Sequence, residues 1–159
     1  MLEQEPIMAE SRLGETNVYT APTGVRGVVH YRFPLVKDPR GNLAVGEFEK
    51  EIPFLPKRYF IVSGVPSGAT RGEHAHKQCH QLLICAHGQI RVSVDDGMTR
   101  FEIQLDQPNV GIYVPSMIWC RHWQYSADAA LLVFASQPYD PEDDIREYGA
   151  FLNALGAAD

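Results

Sequence analysis

Short apolar runs that alternate with polar residues recur along most of this chain, and they constrain its fold more than any other feature. In residues 90–94 and again in 101–105 every second residue is apolar, and Asp96-Gly97 lies between the two runs. Alternation of this kind places every second side chain on one face of a strand, and Asp-Gly is a typical hairpin turn. The segment therefore predicts two antiparallel strands with one buried face.

Further segments have the composition of strands and are separated by turn residues such as those of Asp38-Pro-Arg-Gly41. Residues 81–86 are almost continuously apolar, which favours a strand that is buried on both faces. After Pro141, residues 142–155 have helical composition and predict a short helix on the outside. The other predicted strands are residues 26–33, 42–48, 57–63, 110–114, 119–125 and 130–135. Short strands at these intervals predict an all-β sandwich or barrel.

The size and composition of the chain suit one domain. It has 159 residues, of which 45% are hydrophobic, enough for a single buried core. Residues 1–25 are polar and small and show no sustained period, so they predict a loosely ordered, flexible extension before a domain at 26–155. The net charge of −6 argues against nucleic-acid binding, which needs a basic surface.

Two features bear on the compartment. The first residues have no apolar run of the kind that a signal peptide or a membrane span requires, so we expect a cytoplasmic protein without membrane contact. Its three cysteines, Cys79, Cys85 and Cys120, are an odd number without metal-finger spacing, so we expect reduced thiols and no disulfide framework.

The stretch from Gly68 to Gly88 concentrates reactive side chains in a pattern of fixed spacing, GATRGEHAHKQCHQLLICAHG. His74 and His76 are two residues apart, so on a strand they share one face. Imidazoles are about half ionised near neutral pH, which suits them to proton transfer. This face is therefore a candidate wall of an active site.

The spacing of this stretch resembles the first signature of the cupins, small β-barrels in which two His and a Glu from this motif and a His from a second motif usually bind a metal. Here Gln81 stands at the Glu position and Cys120 at that of the second-motif His. A neutral amide is a poor substitute for a carboxylate ligand. The resemblance implies an all-β, single-domain cupin, a double-stranded β-helix or jelly-roll barrel, that keeps its histidines and uses neither metal nor another cofactor.

A narrower resemblance covers residues 26–152. It is carried by short matches in order: Asp38-Pro-Arg40-Gly41-Asn42-Leu43, Ile52-Pro53-Phe54, Lys57-Arg58, Arg71-Gly72-x-His74-Ala75-His76-Lys77, Gln81-Leu82-Leu83, Asp95-Asp96-Gly97, Met117-Ile118-Trp119, Tyr139-Asp140 and Asp144-x-Ile-Arg146-x-Tyr148. These resemble the nucleotide-sugar 3,4-ketoisomerases, metal-independent cupins that act on dTDP-4-keto-6-deoxyglucose. The resemblance implies an isomerase that moves a keto group from C-4 to C-3 and supplies a 3-keto sugar for 3-amino-3,6-dideoxy sugars of polysaccharides or natural products.

The resemblance also implies roles for particular residues. His74 would be the base that shuttles a proton between the two carbons, and His76 would stabilise the enediolate. Arg40, Arg71 and Lys77, near the barrel mouth, would bind the diphosphate, and the amide of Gln81 would contact the sugar. The residues expected to bind substrate are Arg40, Arg71, Lys77, Gln81, Trp119 and Arg121. A homodimer formed by exchange of the N-terminal strand, 26–33, is implied as well.

Two departures from the family pattern leave alternatives open. Phe60 stands where many relatives have Tyr, so it offers no hydroxyl, and Cys120 stands where Arg or His is frequent. The configuration of the product at C-4, gluco or galacto, is therefore open. One alternative is a non-catalytic cupin that binds a sugar nucleotide, and another is a metal-dependent cupin that uses His74, His76, Cys120 and His122.

Overall fold

A computed structural model of the protein describes residues 17–157, and most of their regular structure is β-strand. A 3₁₀ turn at Pro141–Asp143 precedes the last strand, and one helix, α1 (Tyr148–Ala157), follows it. The strands are β1 (Tyr19–Pro22), β2 (Val29–Arg32), β3 (Leu35–Asp38), β4 (Gly41–Ala44), β5 (Arg58–Ser63), β6 (Arg71–His76), β7 (Gln81–His87), β8 (Ile90–Asp95), β9 (Arg100–Leu105), β10 (Val110–Val114), β11 (Trp119–Trp123), β12 (Ala130–Ala135) and β13 (Asp144–Ile145). The predicted all-β fold with a short C-terminal helix is confirmed.

The strands form two facing sheets and a separate hairpin. One sheet has six strands in the order β1-β2-β10-β7-β12-β5, and the other has five in the order β13-β6-β11-β8-β9. The pair β3–β4 stands apart from both. Strands that follow one another in the chain often lie in different sheets, as β5 and β6 do, so the chain crosses repeatedly between the two layers.

The main core fills the space between the sheets. Leu83 and Cys85 of the six-stranded sheet pack with Val92 and Val94 of the other, and all four are almost completely buried. A second cluster, centred on Leu82, covers the outer face of the six-stranded sheet. Strand β7 is therefore buried on both faces, which explains its continuous apolar sequence and confirms that prediction.

The hairpin predicted from alternation is β8–β9. Ile90 pairs with Leu105 and Val94 with Phe101, and the turn between the strands contains Gly97 at φ +93°. Within the turn, an Asp96 carboxylate oxygen accepts hydrogen bonds from two backbone N–H groups. The expected turn residues thus act as predicted.

The N-terminal region differs from the prediction. Strand β1 lies inside the stretch expected to be a loosely ordered extension, where it pairs with β2 at the edge of the six-stranded sheet. All four of its residues are exposed, so its sequence carries no inside–outside pattern. Strand β3 also went unpredicted, and β4 ends at Ala44, before the expected end of that strand at residue 48. Residues 1–16 of the predicted extension lie outside the described residues.

The predicted start of the C-terminal helix is wrong. Residues 142–147 form part of the 3₁₀ turn, the short strand β13 and a connection, and α1 begins only at Tyr148. The reason is tertiary: β13 pairs with β6, and the Asp143 side chain accepts hydrogen bonds from the backbone of the loop after β6. Within residues 17–157 no helix combines the length and apolar character needed to cross a membrane.

Candidate active site

A cavity of about 270 Å³ lies between the two sheets and contains the histidine pair. Its lining comes from both sheets and from the segment before α1, and comprises Arg58, Phe60, Arg71, His74, His76, Cys79, Gln81, Pro138, Tyr139, Asp140, Asp143, Asp144 and Arg146. A larger groove of about 590 Å³ lies elsewhere, beside β3 and residues 45–51, and its lining contains no imidazole or thiol. Of these two, the smaller cavity combines acid–base groups with cations, so we take it as the candidate active site.

A bulge in β6 sets the position of the histidines. Gly72 and Glu73 both have positive φ, at +86° and +45°, and the register between β6 and β11 shifts at this point. A Cβ atom on Gly72 would lie 3.1 Å from both the Cys120 carbonyl oxygen and His122 Nε2, so no larger residue fits without movement. Bulges commonly re-aim side chains next to active sites. After this one, His74 and His76 alternate regularly and both line the cavity.

The two histidines contact each other directly. His74 Nδ1 donates to the Gly72 carbonyl oxygen at 2.7 Å, because a carbonyl can only accept. His74 Nε2 and His76 Nε2 lie 3.1 Å apart, so one donates and the other accepts. The tautomer of His74 is thereby fixed with its proton on Nδ1, and its Nε2 is the basic nitrogen.

Two buried carboxylates lie behind His76. Its Nδ1 is 3.2 Å from Asp143 Oδ2 and 3.1 Å from Asp144 Oδ1, although the angles are too oblique for a hydrogen bond. Asp143 is held by the backbone N–H groups of Gln78 and Cys79, at 2.9 and 3.1 Å. Asp144 is paired with Arg146 at 2.8 Å. Sequence analysis assigned no role to either aspartate, because both fell in the expected helix.

Opposing effects act on the pKa of His76. The net direction is a lowered pKa, because burial is the largest effect and the neighbouring His74 lowers the pKa further. Asp144 and Asp143 raise it, because a nearby negative charge favours the imidazolium. This combination of desolvation and specific charge partners in a cavity is typical of functional sites.

Three arginines line the cavity. Arg71 belongs to β6, Arg146 to the segment after β13, and Arg58 to β5. The Arg58 guanidinium contacts the rings of Phe60 and Tyr139, 5.4 and 5.5 Å from their centroids, and its Nε is buried without a hydrogen-bond partner among the described residues. Sequence analysis missed Arg58 as a site residue. Strand alternation could have found it, since it shares a face with Phe60.

Of the remaining residues that sequence analysis expected to bind substrate, some line the cavity and others lie away from it. Gln81, like Arg71, lines the cavity, and Gln81 is buried. Lys77 lies just beyond the lining, where its backbone N–H donates to the Asp143 carbonyl oxygen. Arg40 lies in the β3–β4 turn and forms an ion pair with Asp38.

Trp119 and Arg121 project from the opposite face of β11. Trp119 packs against Tyr148 and Phe151 of α1, with ring centroids 5.3 and 5.8 Å away. The Arg121 guanidinium lies over the Trp123 ring, 4.6 Å from its centroid. Neither residue lines the cavity of this chain.

Cys120 and His122 project inward from the same strand and are buried. Burial raises the pKa of Cys120 to about 12 and lowers that of His122 to about 4, so both are neutral at pH 7. His122 Nδ1 and the Tyr125 hydroxyl share a hydrogen bond within the barrel interior. Cys120 and His122 are therefore part of the buried interior of the barrel.

Ligand-type atoms come within 4.8 Å of one another in two groups of the described residues. They are His74, His76 and Asp144, and His76, Cys79 and Asp143. Neither group contains Cys120 or His122, which the metal-dependent alternative requires. The imidazole nitrogens and carboxylates of both groups already contact one another or backbone N–H groups, and we assign no ion to them.

Known proteins resemble this chain in sequence and in fold. Residues 26–156 match the family model described as FdtA, WxcM-like, C-terminal. The chain belongs to this WxcM-like family. It is 41% identical over 119 residues to the TDP-4-oxo-6-deoxy-alpha-D-glucose-3,4-oxoisomerase of Aneurinibacillus thermoaerophilus, covering 75% of this chain and 86% of that protein. Recognition of the family from its short sequence matches is thereby confirmed.

Solved structures agree with membership of the WxcM-like family. A variant of the 3,4-ketoisomerase QdtA from Thermoanaerobacterium thermosaccharolyticum, in complex with TDP-4-keto-6-deoxyglucose, superposes with a TM-score of 0.80 at 31% identity, covering 84% of this chain and 96% of that one. The TDP-quinovose 3,4-ketoisomerase WlaRB from Campylobacter jejuni superposes with a TM-score of 0.77 at 33% identity, covering 81% of this chain and 99% of that one. The fold of this WxcM-like protein is thus that of known sugar ketoisomerases.

Proposed function

We propose that this protein is an isomerase that moves the keto group of dTDP-4-keto-6-deoxy-D-glucose from C-4 to C-3. Family membership supports this, as do relatives named for the reaction. The observation that carries the proposal is the His74–His76 pair on the cavity wall, with His74 Nδ1 bonded to a backbone carbonyl. The reaction is a proton transfer between adjacent carbons, and imidazole suits that task near neutral pH.

The chemistry requires one base and one donor. The C-4 ketone acidifies the proton on C-3, which passes to His74 Nε2 while the electron pair of the C–H bond moves into an enediolate. His76, beside the base, donates to the developing oxyanion. The hydroxyl proton on O-3 must also pass to O-4, and return of the carbon proton to C-4 then leaves the ketone at C-3. Such a 3-keto sugar suits an aminotransferase that makes 3-amino-3,6-dideoxy sugars.

Binding of the nucleotide diphosphate falls to the arginines of the cavity. The chain is acidic overall, with a net charge of −6, but Arg58, Arg71 and Arg146 make this cleft locally cationic. Guanidinium groups match phosphate oxygens in planar, bidentate geometry. The buried Gln81 amide suits a sugar hydroxyl. For Arg40, Lys77, Trp119 and Arg121, a role in binding stays a prediction that no contact with this cavity supports.

Replacing Arg58 by methionine should weaken substrate binding far more than the chemical step. A charge-assisted hydrogen bond contributes about 1.5–3 kcal/mol, so we expect the Kd of TDP and the KM to rise about 10-fold to 100-fold, with kcat changed only a few-fold. Calorimetry with TDP and steady-state kinetics measure these effects. Arg91→Met, on the far strand β8, is the matched control and should leave both unchanged. A fall in kcat at constant KM would instead place Arg58 in the chemical step.

Assembly and domain limits are also part of the proposal. We assign the catalytic domain to residues 26–155 and expect a homodimer formed by exchange of the strand at 26–33. Within one chain β2 pairs with β10, and β1 forms an edge with its backbone available for pairing. Such edges are common sites of strand exchange. The three free thiols suit the cytoplasmic location predicted from the sequence.

The function is tested by proton NMR of chelator-treated protein incubated with dTDP-4-keto-6-deoxyglucose in deuterium oxide. We expect the 3-keto sugar to appear, with deuterium at C-4 to the extent that the base exchanges its proton with solvent. Binding of TDP without turnover would favour a binding module. Turnover that returns only after a divalent metal is added would favour a metal-dependent cupin.

A further inference from the structure

The contacts of the His74–His76 pair allow its protons to be counted. His74 Nδ1 needs one proton to donate to the Gly72 carbonyl oxygen. The contact between the two Nε2 atoms at 3.1 Å needs a second proton. His76 Nδ1 lies 3.2 Å from Asp143 Oδ2 and 3.1 Å from Asp144 Oδ1 at angles outside hydrogen-bond geometry, and this contact is attractive only if Nδ1 carries a third proton. Two neutral imidazoles carry only two ring N–H protons between them.

A neutral pair therefore leaves one contact repulsive. If the second proton lies between the Nε2 atoms, a lone pair of His76 Nδ1 faces Asp143 and Asp144. If that proton lies on His76 Nδ1, two lone pairs face each other across 3.1 Å. One additional proton removes both conflicts and gives the pair a single positive charge. The two carboxylates supply the opposite charge.

We propose that Asp143 and Asp144 are positioning residues that hold this additional proton on His76, so that the resting site contains an imidazolium at His76 beside a neutral imidazole at His74. Both histidines have the same intrinsic chemistry, and the carboxylates distinguish them. This protonation pattern does not depend on the reaction. Its catalytic consequence rests on the function proposed above.

Position and burial explain why the charge belongs on His76. The Asp143 and Asp144 side chains are only 10% and 8% exposed, so water screens their attraction for His76 weakly. Asp143 is fixed by two backbone N–H groups, and β13 pairs Asp144 with His76. Burial and the neighbouring His74 act in the opposite direction, and their net effect with the carboxylates is a lowered pKa of His76. The contacts nevertheless favour the charged pair, because every arrangement of a neutral pair leaves one of the three contacts repulsive.

In this arrangement His74 Nε2 becomes available as a base only when substrate is bound. In the resting site the Nε2 proton of His76 occupies the lone pair of His74 Nε2. A substrate carbonyl that accepts a hydrogen bond from this N–H group, in place of His74, frees that lone pair for the C-3 proton. His74 Nε2 then takes the C-3 proton, the C–H electron pair enters the enediolate, and the imidazolium of His76 lies beside the new oxyanion. The O-4 oxyanion takes the Nε2 proton of His76, and His76 takes the hydroxyl proton of O-3 in return. His74 then delivers its proton to C-4 as the C-3 ketone forms, and the pair returns to its initial state.

Other ionisable groups also act on the pair. Those that line the cavity or lie beside it are Arg58 of β5, Arg71 of β6, Cys79 of the following loop, Cys120 and His122 of β11, Tyr139 and Asp140 before the 3₁₀ turn, and Asp143, Asp144 and Arg146 of the C-terminal segment. Cys120 and His122 are neutral near pH 7, so their ionisation adds nothing there. The arginines keep their charge throughout. The two aspartates are the negative groups in direct contact with His76.

Nitrogen NMR of the ligand-free protein tests the protonation directly. With ¹⁵N-labelled histidine, we expect His76 to give the imidazolium pattern and His74 the pattern of a neutral ring protonated at Nδ1, both at pH 7. The imidazolium is present below the pH of its transition and lost above it. Asp144→Asn should move this transition to lower pH by about one unit or more, because an adjacent opposite charge shifts a pKa by about 1–3 units. Two neutral rings at pH 7 in the wild type would overturn the proposal.

Kinetics provide the second readout. In Asp144→Asn both limbs of the pH profile of kcat/KM should move to lower pH, since both protonation steps lose a favourable charge. Asp144→Glu, which keeps the charge, should largely restore the wild-type profile. The control is Asp128→Asn, because Asp128 lies 3.5 Å from His87 in an exposed pair outside the cavity. A uniform loss of rate with no shift of the profile would mean that Asp144 is only structural. If the wild type shows no turnover, the proposed function fails while the NMR result still decides the protonation.

Discussion

Replacing His74 by asparagine is expected to reduce kcat for the keto sugar by about 100-fold to 10,000-fold, the usual contribution of a general base. Asparagine preserves polarity and approximate size but cannot accept a proton at neutral pH. The hydrogen bond from Nδ1 to the Gly72 carbonyl shows that His74 presents Nε2 as its basic nitrogen. Steady-state kinetics measure the loss, and exchange of the substrate C-3 proton for deuterium tests the base itself.

Two comparisons make this prediction specific. His76→Asn should also lose rate, through the missing donor to the oxyanion, but should retain slow exchange at C-3 because His74 remains. His87→Asn is the matched control, since His87 is exposed and paired with Asp128 away from the cavity. TDP should bind the His74→Asn protein with unchanged affinity. If C-3 exchange persisted in His74→Asn and vanished in His76→Asn, the roles of the two histidines would be reversed.

The fold could be predicted wherever its inside–outside pattern is present in the local sequence. The hairpin β8–β9 combines strict alternation with a Gly97 turn, and β7 shows burial on both faces as a continuous apolar run. The edge strand β1 could not be predicted in this way, because its four residues are all exposed and only pairing with β2 orders them. Local patterns describe burial, whereas an exposed edge is defined by its partner strand.

The C-terminal segment shows how tertiary contacts override local preference. Residues 142–147 have helical composition, but pairing of Asp144 with His76 and the backbone bonds to Asp143 hold them in another conformation. Helical propensity is weak compared with such contacts. The error matters for function, because it hid the two carboxylates that contact His76.

In the candidate site, too, the features that follow from local sequence were predictable and those that depend on distant segments were not. The histidines were predicted correctly to share a face, because two-residue spacing on a strand is a local rule. The same rule places Trp119 and Arg121 on the face of β11 opposite Cys120, and the structure agrees. What the rule cannot supply is which distant segments meet. The approach of Arg58, Tyr139 and the C-terminal aspartates to the histidines depends on the crossing of strands between sheets.

Gly72→Ala is expected to be the most destabilising single change near the site. The residue has φ +86°, a conformation that costs a non-glycine residue about 1–3 kcal/mol. The new Cβ would also lie 3.1 Å from the Cys120 carbonyl oxygen and 3.2 Å from Arg121 Cα. Those atoms belong to β11, which β8 holds on its other side, so they cannot move freely. Overpacking of this kind costs about a further 1–3 kcal/mol.

Gly64→Ala separates the two causes, because Gly64 also has positive φ, at +67°, but no atom lies within 4 Å of the position that a Cβ atom would take there. The free energy of unfolding of the Gly64→Ala protein should fall by about 1–2 kcal/mol, the cost of placing alanine in this backbone conformation alone. Denaturant unfolding should show a clearly larger fall for Gly72→Ala, and equal falls would exclude the contact with β11 as a cause. Activity gives the final distinction. The Gly72 carbonyl fixes the tautomer of His74, so Gly72→Ala should lower kcat in the protein that remains folded, whereas Gly64→Ala should leave kcat unchanged.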